Sequence, residues 1–276
     1  MLTEGRSVLN HRITLAVLSL CASLAIAPIA AHADADKTVT ADSGLVNIST
    51  PDITAPKQWN AKADLRVFGG DENTTYVGVG ASYGLSNNWQ VSLGSSLAQF
   101  ENYALGSGAV ARHGGTDVEL AVKYSTRHFA KFGLSGQLGV GLPNTPAQTS
   151  AHITLGAAGS YFAASNVELY VNPRSVLIDS NSIVGLGMGA KIKLNSQFSV
   201  VGDYTPILTG SNTIDTTRGT QRSHDIYGAA LRYASSSNSL SIDLGYTNGT
   251  GFTTGSSLTP GLGGSGAFYL AVTMTR

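Results

Sequence analysis

From residue 63 to the end, the chain alternates apolar residues with polar or small ones almost without a break. Val118, Leu120, Val122 and Tyr124 alternate with Asp117, Glu119, Ala121 and Lys123. Val184, Leu186, Met188, Ala190, Ile192 and Leu194 alternate with Gly185, Gly187, Gly189, Lys191 and Lys193. Phe132–Leu142 and Leu240–Tyr246 repeat the pattern. A period of two places successive side chains on opposite faces of a β-strand, so one face is apolar and the other is not. Twelve strands are predicted, over residues 63–69, 75–85, 89–100, 116–126, 131–142, 151–163, 166–177, 182–194, 197–208, 223–234, 239–247 and 266–275. Most are longer than the ~5–6 residues common in soluble sheets and match the ~9–11 that a tilted transmembrane strand needs.

The connections separate into two kinds. Ser86–Asn88, Arg127–Ala130, Ala164–Ser165, Asn195–Ser196 and Ser235–Asn238 are short and polar, whereas Glu101–Gly115, Pro143–Ser150, Gly210–Arg222 and Asn248–Ser265 are longer. They alternate, apart from two tight connections in long-loop places, Gly70–Thr74 and Ile178–Asn181. Short periplasmic turns and longer outer loops characterise outer-membrane barrels, and an even strand number leaves both termini on the periplasmic side. Tyr83, Trp89, Tyr124, Phe132, Tyr161, Phe198 and Tyr233 fall near the short turns, and Phe100, Tyr103, Tyr204, Tyr246 and Phe252 near the long loops. Two interfacial aromatic belts account for both sets. The expected fold is an all-β antiparallel transmembrane barrel.

Composition agrees. Charged residues make up 12% of the 276-residue chain against an ordinary hydrophobic 42%, and 33 glycines argue against a helical protein. Zero net charge gives no bulk field for nucleic acid. At the N-terminus, Arg6, His11 and Arg12 precede the apolar run Ile13–Ala31, which ends at Ala31-His32-Ala33. That layout is a secretory leader over residues 1–33, cut after Ala33; Pro28 and the small residues disfavour a membrane anchor. The lone Cys21 lies within it, so the exported chain has no cysteine. Residues 34–62, with Pro51 and Pro56, read as an extended periplasmic segment able to enter the barrel from that side.

Tyr83-Gly84-Leu85-Ser86-Asn87-Asn88-Trp89-Gln90-Val91-Ser92-Leu93-Gly94 resembles a hairpin common in bacterial outer-membrane barrels of porin and transporter type, and Gly44-Leu45-Val46-Asn47-Ile48-Ser49-Thr50-Pro51 looks like the entry segment of the same proteins. The resemblance implies outer-membrane lipids and the barrel-assembly machinery as partners. The alternating Phe268, Leu270, Val272 and Met274 form the terminal strand that such machinery reads, although Arg276 stands where these proteins usually end on an aromatic.

Arg or Lys facing lipid at the midplane costs about 2–4 kcal/mol, so charged phases mark the interior. The residues assigned to line the lumen are Asp64, Arg66, Glu119, Lys123, Lys131, Glu168, Tyr170, Arg174, Lys191, Lys193, Asp203, Arg232 and Asp243. The pairing expected around residues 178–181 sets Glu168 opposite Lys191 and Tyr170 beside Gly187 and Gly189, an arrangement in which an inward Tyr covers strand glycines. Seven basic and five acidic residues describe either a mutually neutralising wall or a polar pore with a slight anion preference. Twelve strands lie between filled eight-stranded barrels and open channels of 16–18, so a narrow passage is expected. The leading function is passive passage of small polar solutes, with a non-conducting structural or surface-binding barrel as the alternative. A rim enzyme acting on lipids would need His113, His152 or His224 beside a serine, and none stands in such a motif. No catalytic residue, cofactor or metal site is assigned, since no paired His or Cys spacing occurs.

Overall fold

The computed structural model describes residues 44–69, 74–98, 101–104, 110–113, 116–129, 131–144, 151–178, 182–215, 218–237, 239–251 and 253–276. The expected leader lies outside the described residues. Twelve strands build the wall: β1 (Trp59–Phe68), β2 (Thr75–Gly84), β3 (Trp89–Ala98), β4 (Thr116–Phe129), β5 (Phe132–Asn144) and β6 (His152–Ala164). They continue with β7 (Val167–Leu177), β8 (Ile183–Lys193), β9 (Phe198–Thr205, prolonged by Ile207–Thr209), β10 (Ile226–Ala234), β11 (Leu240–Thr247) and β12 (Ala267–Thr275). Each pairs antiparallel with its sequence neighbour, and β1 pairs with β12 from Asn60↔Thr275 to Phe68↔Ala267. The ring is therefore closed, and closure is what lets a sheet sit in lipid without an unpaired edge. β9 is interrupted at Pro206, which has no N–H to give the ladder, and the register against β8 shifts at Val184/Gly185.

The predicted period sorts the two faces. Along β12, Ala267, Tyr269 and Ala271 are buried inside, while Phe268, Leu270 and Met274 are exposed outside. Leu93, Leu120, Leu138, Met188, Ile192, Leu231 and Leu244 extend the exposed apolar band around the wall. At the short-turn end, four ring pairs stand directly across adjacent strands, Trp59–Tyr83, Trp89–Tyr124, Phe132–Tyr161 and Phe198–Tyr233, with centroids 4.7, 4.9, 5.0 and 5.4 Å apart. Tyr204↔Tyr227 and the Tyr246–Phe268 edge contact stand at the long-loop end. These aromatics stand at the two membrane surfaces as the belts require, while the side chains of Phe100, Tyr103 and Phe252 lie outside the described residues. Met188 lies on the outer face of β8 with 44% of its surface exposed. Met188 stands midway along Ile183–Lys193, so Met188→Lys should cost about 2–4 kcal/mol. A lowered urea midpoint for loss of heat-modifiable gel mobility would register the cost, and an unchanged midpoint would contradict the lipid-facing assignment.

The N-terminal boundary needs correction. β1 begins at Trp59 rather than at residue 63, because Trp59 N donates to Arg276 O (2.7 Å) and Arg276 N to Trp59 O (2.8 Å), extending the closing ladder. Of the segment expected over 34–62, residues 44–56 lie inside the barrel, the entry that the sequence allowed, and not outside it. Leu45, Val46, Asn47, Ile48, Thr50, Ile53 and Thr54 are all at most 5% exposed, inside the barrel.

Candidate functional site: a filled lumen

The segment 44–56 rises from the short-turn end, reaches mid-barrel at Asn47 and returns to β1. Its return is fixed by Thr54 N donating to Gln90 Oε1 (2.7 Å), Thr54 Oγ1 against Ser82 Oγ (2.7 Å) and Lys57 N donating to Gly84 O (2.8 Å). Inward residues of the wall grip the rest. Asp203 accepts from Val46 N, Asn47 N and Asn47 Nδ2 at 2.8, 2.8 and 2.9 Å. Arg232 donates to Gly44 O (2.8 Å) while also holding Asp243 through two bonds of 2.6 and 2.7 Å. Lys123 Nζ donates to Ser49 Oγ (3.2 Å), Thr50 O and Asp52 O (2.7 Å), and Ser125 Oγ to Pro51 O (2.6 Å). Buried charges are tolerated only when paired or fully hydrogen-bonded. Here the segment's own peptide groups supply much of that satisfaction.

The loop 248–265 folds inward from the opposite end and carries a single helical turn, Thr254–Ser257. Thr254 N and Oγ1 each donate to Glu119 at 3.0 Å, Thr253 Oγ1 donates to Asp117, and Ser256 Oγ meets Ser96 Oγ at 2.9 Å. Two arginines join this lid to the rising segment. Arg66, fully buried, donates from Nη1 to both Asn47 Oδ1 (3.0 Å) and Gly249 O (2.7 Å), while its other nitrogens hold Asp64. Its guanidinium lies 5.1 Å from the centre of the Tyr269 ring. Arg174 Nη1 donates to Asn47 O and to Ser257 Oγ (2.7 Å), and Nη2 to Thr205 Oγ1 (3.0 Å). The central constriction is thus a clamp of plug, wall and lid meeting at Asn47.

Packing adds an apolar half. Leu45, Val46 and Ile48 cluster with Tyr170, Val201, Ala230, Tyr269 and Ala271 of the wall from β7 to β12. The wall is hollowed there: a Cβ on Gly189 would lie 2.3 Å from Leu45 Cδ1, on Gly187 2.7 Å from Ile48 Cγ2, and on Gly228 2.7 Å from Val46 Cγ1. Tyr170 does stand opposite Gly189 in the ladder, but the plug's aliphatic side chains fill the space over these glycines.

Of the residues assigned to the interior, Asp64, Arg66, Glu119, Lys123, Glu168, Tyr170, Arg174, Asp203, Arg232 and Asp243 are buried on the inner face. Lys191, half-buried, stands across from Glu168. Two differ. Lys131 is exposed in the turn before β5, because β5 starts at Phe132, and Lys193 is exposed at the short-turn end of β8. Sequence reasoning missed Asn47, Thr54 and the lid residues Thr253, Thr254 and Ser257. The inward glycines of β8 were the available signal, since a wall without side chains has something else to pack against. His152 is buried beside the lid, and Ser256 Oγ is engaged with Ser96 and Thr253. The side chain of His113 lies outside the described residues.

A family model described as the outer membrane protein beta-barrel domain matches residues 17–226, more than half of the chain. The chain belongs to that family. Among solved structures, the NanC porin aligns with TM-score 0.52 at 11% identity, over 78% of this chain and 98% of that one. The KdgM porin aligns with TM-score 0.51 at 8% identity, over 79% and 98%. At such identities the likeness is one of fold: a closed twelve-stranded barrel of porin type. No curated protein matches the chain in sequence.

Proposed function

We propose that this protein is an outer-membrane channel for small polar solutes, with residues 44–56 as its internal gate, and that it reaches that membrane by way of the leader 1–33. The observation that carries the reading is the division of the lumen. Wall charges hold the segment mainly through its peptide groups, so their hydration in water can replace those bonds when it withdraws. Barrel closure, in contrast, depends only on wall-to-wall ladders. A barrel filled by its own side chains, as eight-stranded ones are, has no such separable part. Serine and threonine hydroxyls of the lid bond to wall carboxylates and to one another, which supports passage over lipid turnover as the task of this lumen.

Purified protein in planar bilayers should give discrete steps with low open probability. A folded barrel that stays silent even after the gate is freed would favour the structural, non-conducting alternative. Selectivity gives a second measurement. Lys191 and Lys193 share one side of β8, about 7 Å apart over two strand rises, at the mouth where the gate enters. Charges close to a narrow low-dielectric path act strongly on passing ions. Reversing both to Glu should move the reversal potential toward cations while gel mobility stays native. An unmoved potential would take them off the conducting path.

A further inference from the structure

The two segments that fill the lumen enter from opposite ends and meet at one residue. Asn47, at the tip of the gate, accepts through Oδ1 from Arg66 Nη1 (3.0 Å) and Thr247 Oγ1 (3.0 Å), and through its carbonyl from Arg174 Nη1. Each of these three atoms also bonds to the lid. Arg66 Nη1 donates to Gly249 O (2.7 Å), Thr247 Oγ1 accepts from Gly249 N (3.0 Å), and Arg174 Nη1 donates to Ser257 Oγ (2.7 Å). Arg66 and Thr247 are fully buried and Arg174 nearly so.

Gate and lid also touch directly. A Cβ on Gly249 would lie 2.5 Å from Asn47 Oδ1, so the lid's first residue packs against the amide of the gate's tip. Along β8 the two segments occupy successive places on one inward row of glycines. A Cβ on Gly185 would lie 2.7 Å from Leu258 Cδ2 of the lid, next to the places that Ile48 and Leu45 take over Gly187 and Gly189.

This sharing fixes how the two departures affect each other. Withdrawing the gate beneath a closed lid leaves Nη1 of Arg66 and of Arg174 each short of one acceptor while the lid still holds them, and it removes the packing of Gly249 on Asn47. A buried donor left in that state carries its full desolvation cost. Lifting the lid first gives those donors to water and loosens the arginines that grip Asn47. Each departure therefore weakens what holds the other segment, which is the condition for positive coupling between two sites.

We propose that lid and gate are allosterically coupled, so that a contact on the outer surface that lifts the lid releases the gate at the periplasmic end. The inference rests on residues 44–56 being the gate and deepens that reading by naming its regulation. Coupling is reciprocal: a lifted lid favours gate release by the same factor as a released gate favours lid opening. Each segment can be disturbed alone. Among the described residues, the side chain of Asp203 accepts hydrogen bonds from residues 46 and 47 of the gate and from none of the lid, and Leu258 of the lid packs on Val176 and Ile183 of the wall.

The test uses the chain without its leader, which has no native cysteine. Leu258 is 0% exposed, so a polyethylene glycol maleimide attached to Leu258→Cys in urea before refolding into micelles holds the lid out of its seat. The same group on Thr220→Cys, exposed in the neighbouring outer loop, is the control. Thermolysin cleavage within residues 44–56 should be at least about fivefold faster with the lid labelled, the lower end of the range for coupled sites, and unchanged with Thr220→Cys labelled. Conversely, Asp203→Ala should raise the rate at which folded Leu258→Cys reacts with the maleimide by a similar factor. Heat-modifiable mobility shows that each barrel is folded. Where labelled Leu258→Cys does not refold, Asp117→Ala/Glu119→Ala takes its place, removing the bonds that Thr253 and Thr254 of the lid make to the wall. Overturning results are unchanged gate cleavage in a folded barrel whose lid is displaced, equal acceleration by the Thr220→Cys label, or unchanged Leu258→Cys reactivity in an Asp203→Ala barrel whose gate is cleaved faster. Coupled exposure in a barrel that passes no current would count against the channel and leave the coupling standing.

Discussion

Oxidation of a Thr54→Cys/Ser82→Cys variant should abolish its current in planar bilayers, and dithiothreitol should restore it. The two native hydroxyls are 2.7 Å apart, one on the returning arm of the gate and one on the inner face of β2. Sulfurs at these positions need only a small approach to reach the ~2.05 Å of a disulfide. Background is favourable, because the only native cysteine is Cys21, within the expected leader. The bond joins the gate to the wall and adds nothing to the strand ladders. It therefore changes the freedom of residues 44–56 without changing the barrel that carries them. In the reduced state, departure of the segment has to overcome the Asp203, Lys123 and Arg232 contacts as well as burial of Leu45, Val46 and Ile48. Burial alone contributes about 1.5–3 kcal/mol for each such side chain. Openings should consequently be rare when reduced and absent when oxidised. Equal currents in both states would mean that solutes pass beside a fixed segment, and the gating role would be withdrawn.

The wall was legible from sequence because two independent constraints write the same pattern. Lipid selects apolar residues on one face, and water or buried polar groups select the other, so β12 reads as Phe268, Leu270 and Met274 against Tyr269, Ala271 and Thr273 before any coordinate is known. Tight turns were equally clear from their short polar runs. The lumen was legible only as a list of inward residues. Asp203 and Asp243 look alike in that list, yet Asp243 holds Arg232 across adjacent strands and Asp203 holds the backbone of residues 46 and 47, more than 150 positions away in the chain. Nothing periodic encodes such a contact. The gate itself is irregular backbone, for which neither a period of two nor one of 3.6 gives a signal. Its apolar residues at 45, 46 and 48 and its prolines read only as an extended stretch. The trace it leaves in the wall is Gly187 and Gly189 on β8 with Gly228 on β10, and the β8 pair stands out because an inward face of bare glycines beside charged neighbours has no packing of its own.

Asp203→Ala should free the gate more than any other single inward substitution. Among the described residues, Asp203 is the one wall side chain that holds the rising arm by three hydrogen bonds, all from residues 46 and 47. Hydrogen bonds to a charged group contribute about 1.5–3 kcal/mol each. Their removal also strands two buried N–H groups and an amide in the closed state, whereas in the withdrawn state those groups find water. The substitution thus penalises one state selectively, the condition for shifting a population. A differential of even 3 kcal/mol changes the open-to-closed ratio by about 10²-fold. Two measurements should move together: faster protease cleavage within residues 44–56 in micelles, and higher open probability in bilayers. Ser160→Ala provides the comparison, since Ser160 is buried on the inner face of β6 and its Oγ has no hydrogen-bond partner among the described residues, so it should alter neither. Unchanged cleavage and conductance in a folded Asp203→Ala barrel would show that the apolar contacts of Leu45, Val46 and Ile48 suffice to hold the segment. The carboxylate would then be a satisfied wall charge with no part in the latch.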